Sequence, residues 1–348
     1  MTRAKDDTAQ GTRSDTTSMD SQCQPADRTI KTHSRFSSLY TWLGFKKGYN
    51  VPLFFILAGA MFGFSLARLQ YLDVGGKFRQ GSAPGEWYWY QTGSRRVGII
   101  LHLAGVIPAG LLMVFQFIPI IRHRALLFHR INGYLVILLL LVGNVGALMI
   151  TRRAFGGDLS TQGAAGLLVI YTTTGMALAY YNVKMLQIDQ HRAWMLRTMI
   201  MMGVIITTRI IMIITAQITT AIGSYNVIMT CGELATMHGP SYLTENYADC
   251  LLSNSTALEN GLRVVHVNFG DRKEEIGAAL RIGFGMAMWI SIFLHGAGAE
   301  VYLAFTPRES QRLRMVSYEK QLEAGMKNPG SAGLVMEKFG DADEWRAP

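Results

Sequence analysis

Charge is scarce in this sequence. Asp, Glu, Lys and Arg together make up 16% of its 348 residues, which argues against the two soluble domains that the length alone would allow. Cysteine is scarcer still, at three. The short signatures that announce a metalloprotease, dithiol, nucleotide or serine-hydrolase site (HExxH, CxxC, a Walker loop, GxSxG) are missing. Met1–Ser34 has no apolar run and is rich in Thr, Ser, Asp and Gln. That excludes a signal peptide within it and predicts a disordered tail that buries too little surface to fold.

Apolar residues, by contrast, are abundant and gathered in blocks. Mean hydropathy is +0.19, with 19 Met and 36 Gly. Six runs reach the length of about 20 residues that a helix needs to cross a hydrocarbon core: 51–69, 97–121, 131–151, 163–183, 196–222 and 276–305. A helix satisfies its own backbone in lipid. The fold class expected is therefore all-α, a polytopic integral membrane helix bundle. Residues 306–348 turn polar again, and an amphipathic helix followed by coil is expected there.

The basic residues flanking the runs favour both termini in the cytosol, in the endomembrane system or the plasma membrane. Loop 223–275 then faces the opposite compartment, where thiols oxidise and Asn is glycosylated. It carries Cys231, Cys250 and the sequon Asn254-Ser255-Thr256. A Cys231–Cys250 disulfide and a glycan on Asn254 are expected; Cys23 falls in the tail. Net charge is +9, and its placement in short loops and flanks points to membrane lipids as partners, not nucleic acid.

Ionisable groups at membrane depth default to functional readings. Helical rise places His102, Asn144, Thr172–Thr174, Arg209 and Arg281 in one outer layer, where Thr173 and its neighbours supply hydroxyls. No Asp or Glu in the runs reaches that depth to neutralise Arg209. Either a ligand carboxylate or phosphate does so, or Arg209 serves as interhelical glue. Arg281 is expected to snorkel toward outer headgroups. A second, cytosolic layer holds two His-Arg pairs, His129-Arg130 and His191-Arg192, with His123, His295 and Glu300 nearby. They frame a site or grip phospholipid headgroups. His191 and Arg209 lie about five turns apart and share a face if their helix is continuous. Gly283-Phe-Gly285 and Gly296-Ala-Gly298 read as helix packing.

These residues resemble a widespread family of multi-pass membrane proteins catalogued as a domain of unknown function. The pattern runs from His102 through Gln116-Phe117 with Pro119, His129-Arg130 with Gly133, and His191-Arg192-Ala-Trp194-Met195 with Arg197, to Arg209. The long tail and the cysteine-bearing loop look like those of a fungal member. The resemblance implies a context among biosynthetic enzymes for lipophilic natural products, and it implies no reaction.

Three functions stay open. The first is an intramembrane enzyme, or an accessory to one, acting on a lipophilic small molecule. There His102 exchanges a proton and Arg209 holds negative charge, with His129, Arg130, His191, Arg192, Asn144, Thr173 and Arg281 around the ligand. The second is a haem-b electron carrier resembling cytochrome b561, with His129 and His191 as axial ligands. The third is a transporter or scaffold. The unpaired Arg209 favours the first.

Overall fold

A computed structural model describes residues 50–250 and 261–347. The expectations for the N-terminal tail, for Cys23 and for Asn254 lie outside the described residues. Among the described residues, six helices are long and apolar enough to cross a membrane. They comprise α1 (Asn50–Arg68), α2 (Gly93–Gln116), α3 (Leu126–Ile150), α4 (Leu159–Lys184), the pair α5 (Ile188–Met202) and α6 (Val204–Ile222), and α8 (Lys273–Ala304). The short α7 (Cys231–Met237) precedes α8, and α9 (Pro307–Glu323) follows it. The bundle has a loop face, which carries residues 223–250 and 261–272, and a tail face, which carries the C-terminal segment.

Local sequence explains the helix limits. The Asp158 carboxylate accepts from Thr161 N–H at 2.6 Å and caps α4. Pro119 opens a separate short helix, Pro119–Arg124, so α2 ends at Gln116 rather than continuing to 121. The fifth span begins at Ile188, earlier than hydropathy indicates, and draws His191 and Arg192 into its first turns.

That span is not continuous. Gly203 separates α5 from α6, and the imidazole of His295 fills the break. His295 Nδ1 donates to the Ile200 carbonyl at 2.7 Å, which leaves Nε2 to accept from the Thr207 hydroxyl at 2.8 Å. A side chain at position 203 would run into that ring, since a Cβ there would stand 2.7 Å from His295 Cε1. The condition for a common face of His191 and Arg209, a continuous helix, is met except at Gly203, where the helix is interrupted for one residue in right-handed helical backbone.

Close packing comes from glycines. α2 and α3 cross where Gly98, Gly105, Gly143 and Gly146 bring backbone to backbone, as small residues allow in lipid. A Cβ on Gly105 would lie 2.5 Å from the Leu139 carbonyl oxygen, and one on Gly146 would lie 2.4 Å from the His102 nitrogen. On the loop face, β1 (Asn226–Thr230) pairs antiparallel with β2 (Leu262–His266). Cys231 and Cys250 form the expected disulfide. Met229, Leu234, Leu243 and Val265 bury around that disulfide against Ala278 and Ala279 of α8.

The C-terminal segment is docked. Gln321 donates to the Met185 carbonyl at 2.9 Å, Ser317 to Asp189 at 3.0 Å, and the Leu334 N–H donates to Asn182 at 2.8 Å. Buried Asn182, Gln187, Ser317 and Gln321 thus satisfy one another and the backbone.

Substituting Gly105→Val should lower the thermal midpoint of the detergent-solubilised protein, with an overpacking cost of about 1–3 kcal/mol. Gly59→Ala, where a Cβ meets nothing within 4 Å, serves as the neutral control. Equal midpoints for the two variants would refute the close α2–α3 crossing.

Candidate functional site

Three pieces of loop-face chain converge on the ends of α6 and α8. The first is a short helical turn, Glu86–Trp89, between α1 and α2. The second is the Phe155-Gly156-Gly157 turn between α3 and α4. The third is the start of α7, where Thr230 and Glu233 form a capping box. Arg281 projects into them from α8, about 12 Å along the helix from Lys273 at 1.5 Å per residue.

Arg281 does not snorkel. It is 7% exposed, and its Nη2 donates to Glu233 Oε1 at 2.6 Å and approaches Glu86 Oε1 at 3.5 Å. Two carboxylates from distant loops supply acceptors that headgroups would otherwise provide, so the side chain turns inward. Its aliphatic stem fits because residue 156 is glycine: a Cβ there would stand 2.4 Å from Arg281 Cδ.

The two carboxyl groups experience different surroundings. Glu233 also accepts from Trp89 Nε1 at 2.8 Å, from the Thr230 N–H at 2.8 Å and from the Thr230 hydroxyl at 3.1 Å. Burial opposes its ionisation, but the Arg281 charge and these donors outweigh burial and hold its pKa below the ordinary value. Glu86 accepts from the Phe155 N–H at 2.9 Å and from the Tyr90 hydroxyl at 3.2 Å. There burial dominates over Arg281 and the hydrogen bonds, and the pKa is raised. One carboxyl is thus biased toward the anion and its neighbour toward the acid.

Phe155 carries the strain of this arrangement. It adopts φ 48° and ψ 47°, left-handed backbone in a residue with a large side chain. Its N–H is held by Glu86, and its ring stacks on Phe284 with centroids 4.0 Å apart. Arg209 lies over both rings, 4.5 Å from the Phe155 centroid and 5.6 Å from that of Phe284. Its guanidinium has one hydrogen bond, to the Met212 sulfur at 3.9 Å, and no ion pair among the described residues. The charges that bear most on it are Arg68, which repels, and Glu86, which attracts.

The remaining expected residues fall into separate groups. His102 Nδ1 donates to the Gly143 carbonyl at 3.0 Å within the α2–α3 crossing, and no hydrogen bond joins it to Arg209. Asn144 donates to Thr172 at 3.1 Å and Thr173 at 3.0 Å, linking α3 to α4. Arg130 is exposed on α3. On the tail face, His191 Nδ1 donates to the Ala179 carbonyl at 2.9 Å, and Arg192 to the Thr306 hydroxyl at 3.3 Å. The charge of His191 is among those that reach His129 most strongly. No group of three His, Cys, Asp or Glu suited to a metal ion occurs among the described residues.

Glu86, Trp89, Tyr90, Phe155 and Glu233 were missed by sequence reasoning because they lie outside the apolar runs. Signals for them were present: the aromatic run Trp87-Tyr88-Trp89-Tyr90 after Glu86, and the Thr-x-x-Glu spacing of Thr230 and Glu233.

Residues 99–243 match the model of a family described as "Predicted membrane protein (DUF2306)". The chain thus carries the pattern of that membrane family over the segment that holds His102, both His-Arg pairs, Arg209 and Glu233. It is also 24% identical over 336 residues to Ava biosynthesis cluster protein G of Aspergillus versicolor, covering 82% of this chain and 97% of that protein. No solved structure matches it.

The opposed carboxyls imply opposed pH dependences. Glu233, with its pKa lowered on folding, contributes stability above the ordinary carboxylate pKa that is lost as pH falls through its folded value. Glu86, with its pKa raised, contributes stability below the ordinary value that is lost as pH rises through its folded value. Thermal melts across pH should therefore show Glu233→Gln flattening the acid limb and Glu86→Gln flattening the limb above it. Arg281→Gln, which strands a buried charge, should cost about 3–5 kcal/mol. Identical pH profiles for the parent and both Glu variants would overturn the assignment.

Proposed function

We propose that the protein is a membrane-embedded acid–base catalyst acting on a lipophilic small molecule in natural-product biosynthesis. The observation that carries this reading is the pair of buried carboxyls, Glu86 and Glu233, biased in opposite directions around one arginine. Glu86 is the proton donor. Its conjugate base would meet Arg281, the Phe155 N–H and the Tyr90 hydroxyl already in position, so charge developing on it needs little reorganisation. Glu233 is a positioning residue, because its oxygens are engaged with Arg281, Trp89 and Thr230. Arg209 receives the substrate's negative or carbonyl end, since it has no carboxylate of its own.

The biosynthetic context rests on the likeness to the Aspergillus versicolor cluster protein. His102 takes a smaller part in this reading than the sequence suggested, because its Nδ1 proton is committed to a backbone carbonyl at a helix crossing.

Metabolite profiling of the producing host tests the proposal. Glu86→Gln should abolish the product and Arg209→Gln should reduce it at least about tenfold, the effect of one lost charge interaction of about 1.4 kcal/mol. Protein abundance on immunoblots should stay normal for both. Full product from Glu86→Gln at normal abundance would sink the proposal. An absorption spectrum of the purified protein addresses the haem alternative: a Soret band would move the centre to His129 and His191.

A further inference from the structure

The tail face holds a second polar cluster that the acid–base site does not use. Gln116 closes α2, His129 lies in the first turns of α3, and Arg192 lies in the first turns of α5. Among the described residues each has a buried side-chain nitrogen with no hydrogen-bond partner: Gln116 Nε2, His129 Nδ1 and Arg192 Nη1. A buried polar atom without a partner is costly, so three of them on neighbouring helix ends call for a polar ligand.

Met113, Val136 and Met199 of α2, α3 and α5 bury in one cluster, which brings these helices together, and electrostatic influence links their tail-face ends. Gln116 reaches α3 beside Gly133, where a Cβ would stand 3.6 Å from its Oε1, one turn beyond His129. His129 is within electrostatic reach of His191, Arg122 and Arg130. Arg122 in turn is within reach of Arg192, Arg312 and Glu309. Glu309 is the one carboxylate in that set, and Arg312 engages both its oxygens, at 2.9 and 2.6 Å. Among the described residues neither Arg122 nor Arg192 forms an ion pair, and the Glu309 charge that reaches both is shared with Arg312. Arg192 is further oriented by the Thr306 hydroxyl and by the ring of Tyr302, 5.9 Å from its Cζ.

We infer that this cluster binds a phosphate group between Gln116, His129, Arg122 and Arg192. A phosphate has the acceptor oxygens to meet donors from several helix ends at once, and guanidinium forks match its geometry. The site is chemically distinct from the loop-face carboxyl pair and lies at the opposite end of the bundle. The phosphate comes from a lipid headgroup or from a soluble phosphorylated compound, and the test separates these sources.

Full-length protein in phosphatidylcholine nanodiscs is titrated with inorganic pyrophosphate by calorimetry. A parallel set of discs contains some phosphatidic acid, with protein-bound lipid counted by native mass spectrometry. Saturable pyrophosphate binding supports the site with a soluble ligand; retention of phosphatidic acid without pyrophosphate binding supports it with a lipid headgroup. In either case Arg192→Gln and Arg122→Gln should weaken binding about tenfold, while Lys320→Gln, a charge change elsewhere on the tail face, should not. Gln116→Leu, which leaves every charge in place, should weaken it severalfold and covers failure of the arginine variants to assemble. If the parent protein neither binds pyrophosphate nor retains phosphatidic acid, the inference falls. It falls equally if all the variants bind as the parent does.

Discussion

Arg281 is the constraint on which the loop-face half of this protein depends. A guanidinium at membrane depth either reaches water or acquires acceptors, and here two glutamates from separate loops are brought to it. Binding both of them closes the chain between α1 and α2 onto the start of α7, and Glu86 in turn fixes the strained turn before α4 through the Phe155 N–H. A disulfide beside Glu233 and a capping box at Thr230 hold the third participant in place. Around that shared arginine, burial prevails at Glu86 and the charge and donors prevail at Glu233, which separates the protonation tendencies of two neighbouring carboxyls.

The two ends of the bundle differ in what they gather. At the loop face, two glutamates share one arginine. At the tail face, Gln116, His129 and Arg192 each keep a buried nitrogen without a partner among the described residues. Between them, contacts are mostly backbone-close and apolar, with glycines setting the α2–α3 distance and Asn144 tying α3 to α4 through threonines. Gly203 marks the join. The Ile200 carbonyl beside it accepts from both the Gly203 N–H and His295, and farther along α6 Arg209 lies over Phe155 and Phe284.

Hydropathy made the membrane class and the six spans legible, because burial in lipid demands long uniform runs and tolerates few substitutes. Cys231 and Cys250 were legible as a pair because the loop that holds them offers no other cysteine. The isolation of Arg209 from acidic residues in its own layer was also visible. What went unread was the contribution of the connecting segments. Glu86 sits before an aromatic run that reads as interfacial, and Glu233 reads as an ordinary helix-capping residue. Neither shows in a one-dimensional pattern that loop chain folds back to membrane depth.

The sequence alone determined a polytopic helical membrane protein, the loop that carries the disulfide, and the His-Arg pairs at one end, while the fifth span starts at Ile188 and not at 196. These depend on local composition, which solvent transfer energies read directly. Only the tertiary structure decided that Arg281 turns inward, that the fifth span is interrupted at Gly203, that His102 and Arg209 serve separate contacts, and that two loop glutamates meet at Arg281. Those outcomes rest on which charge finds which partner once it is buried. In a medium of low dielectric constant that choice is made by three-dimensional proximity, and proximity is not a property of any single stretch of chain.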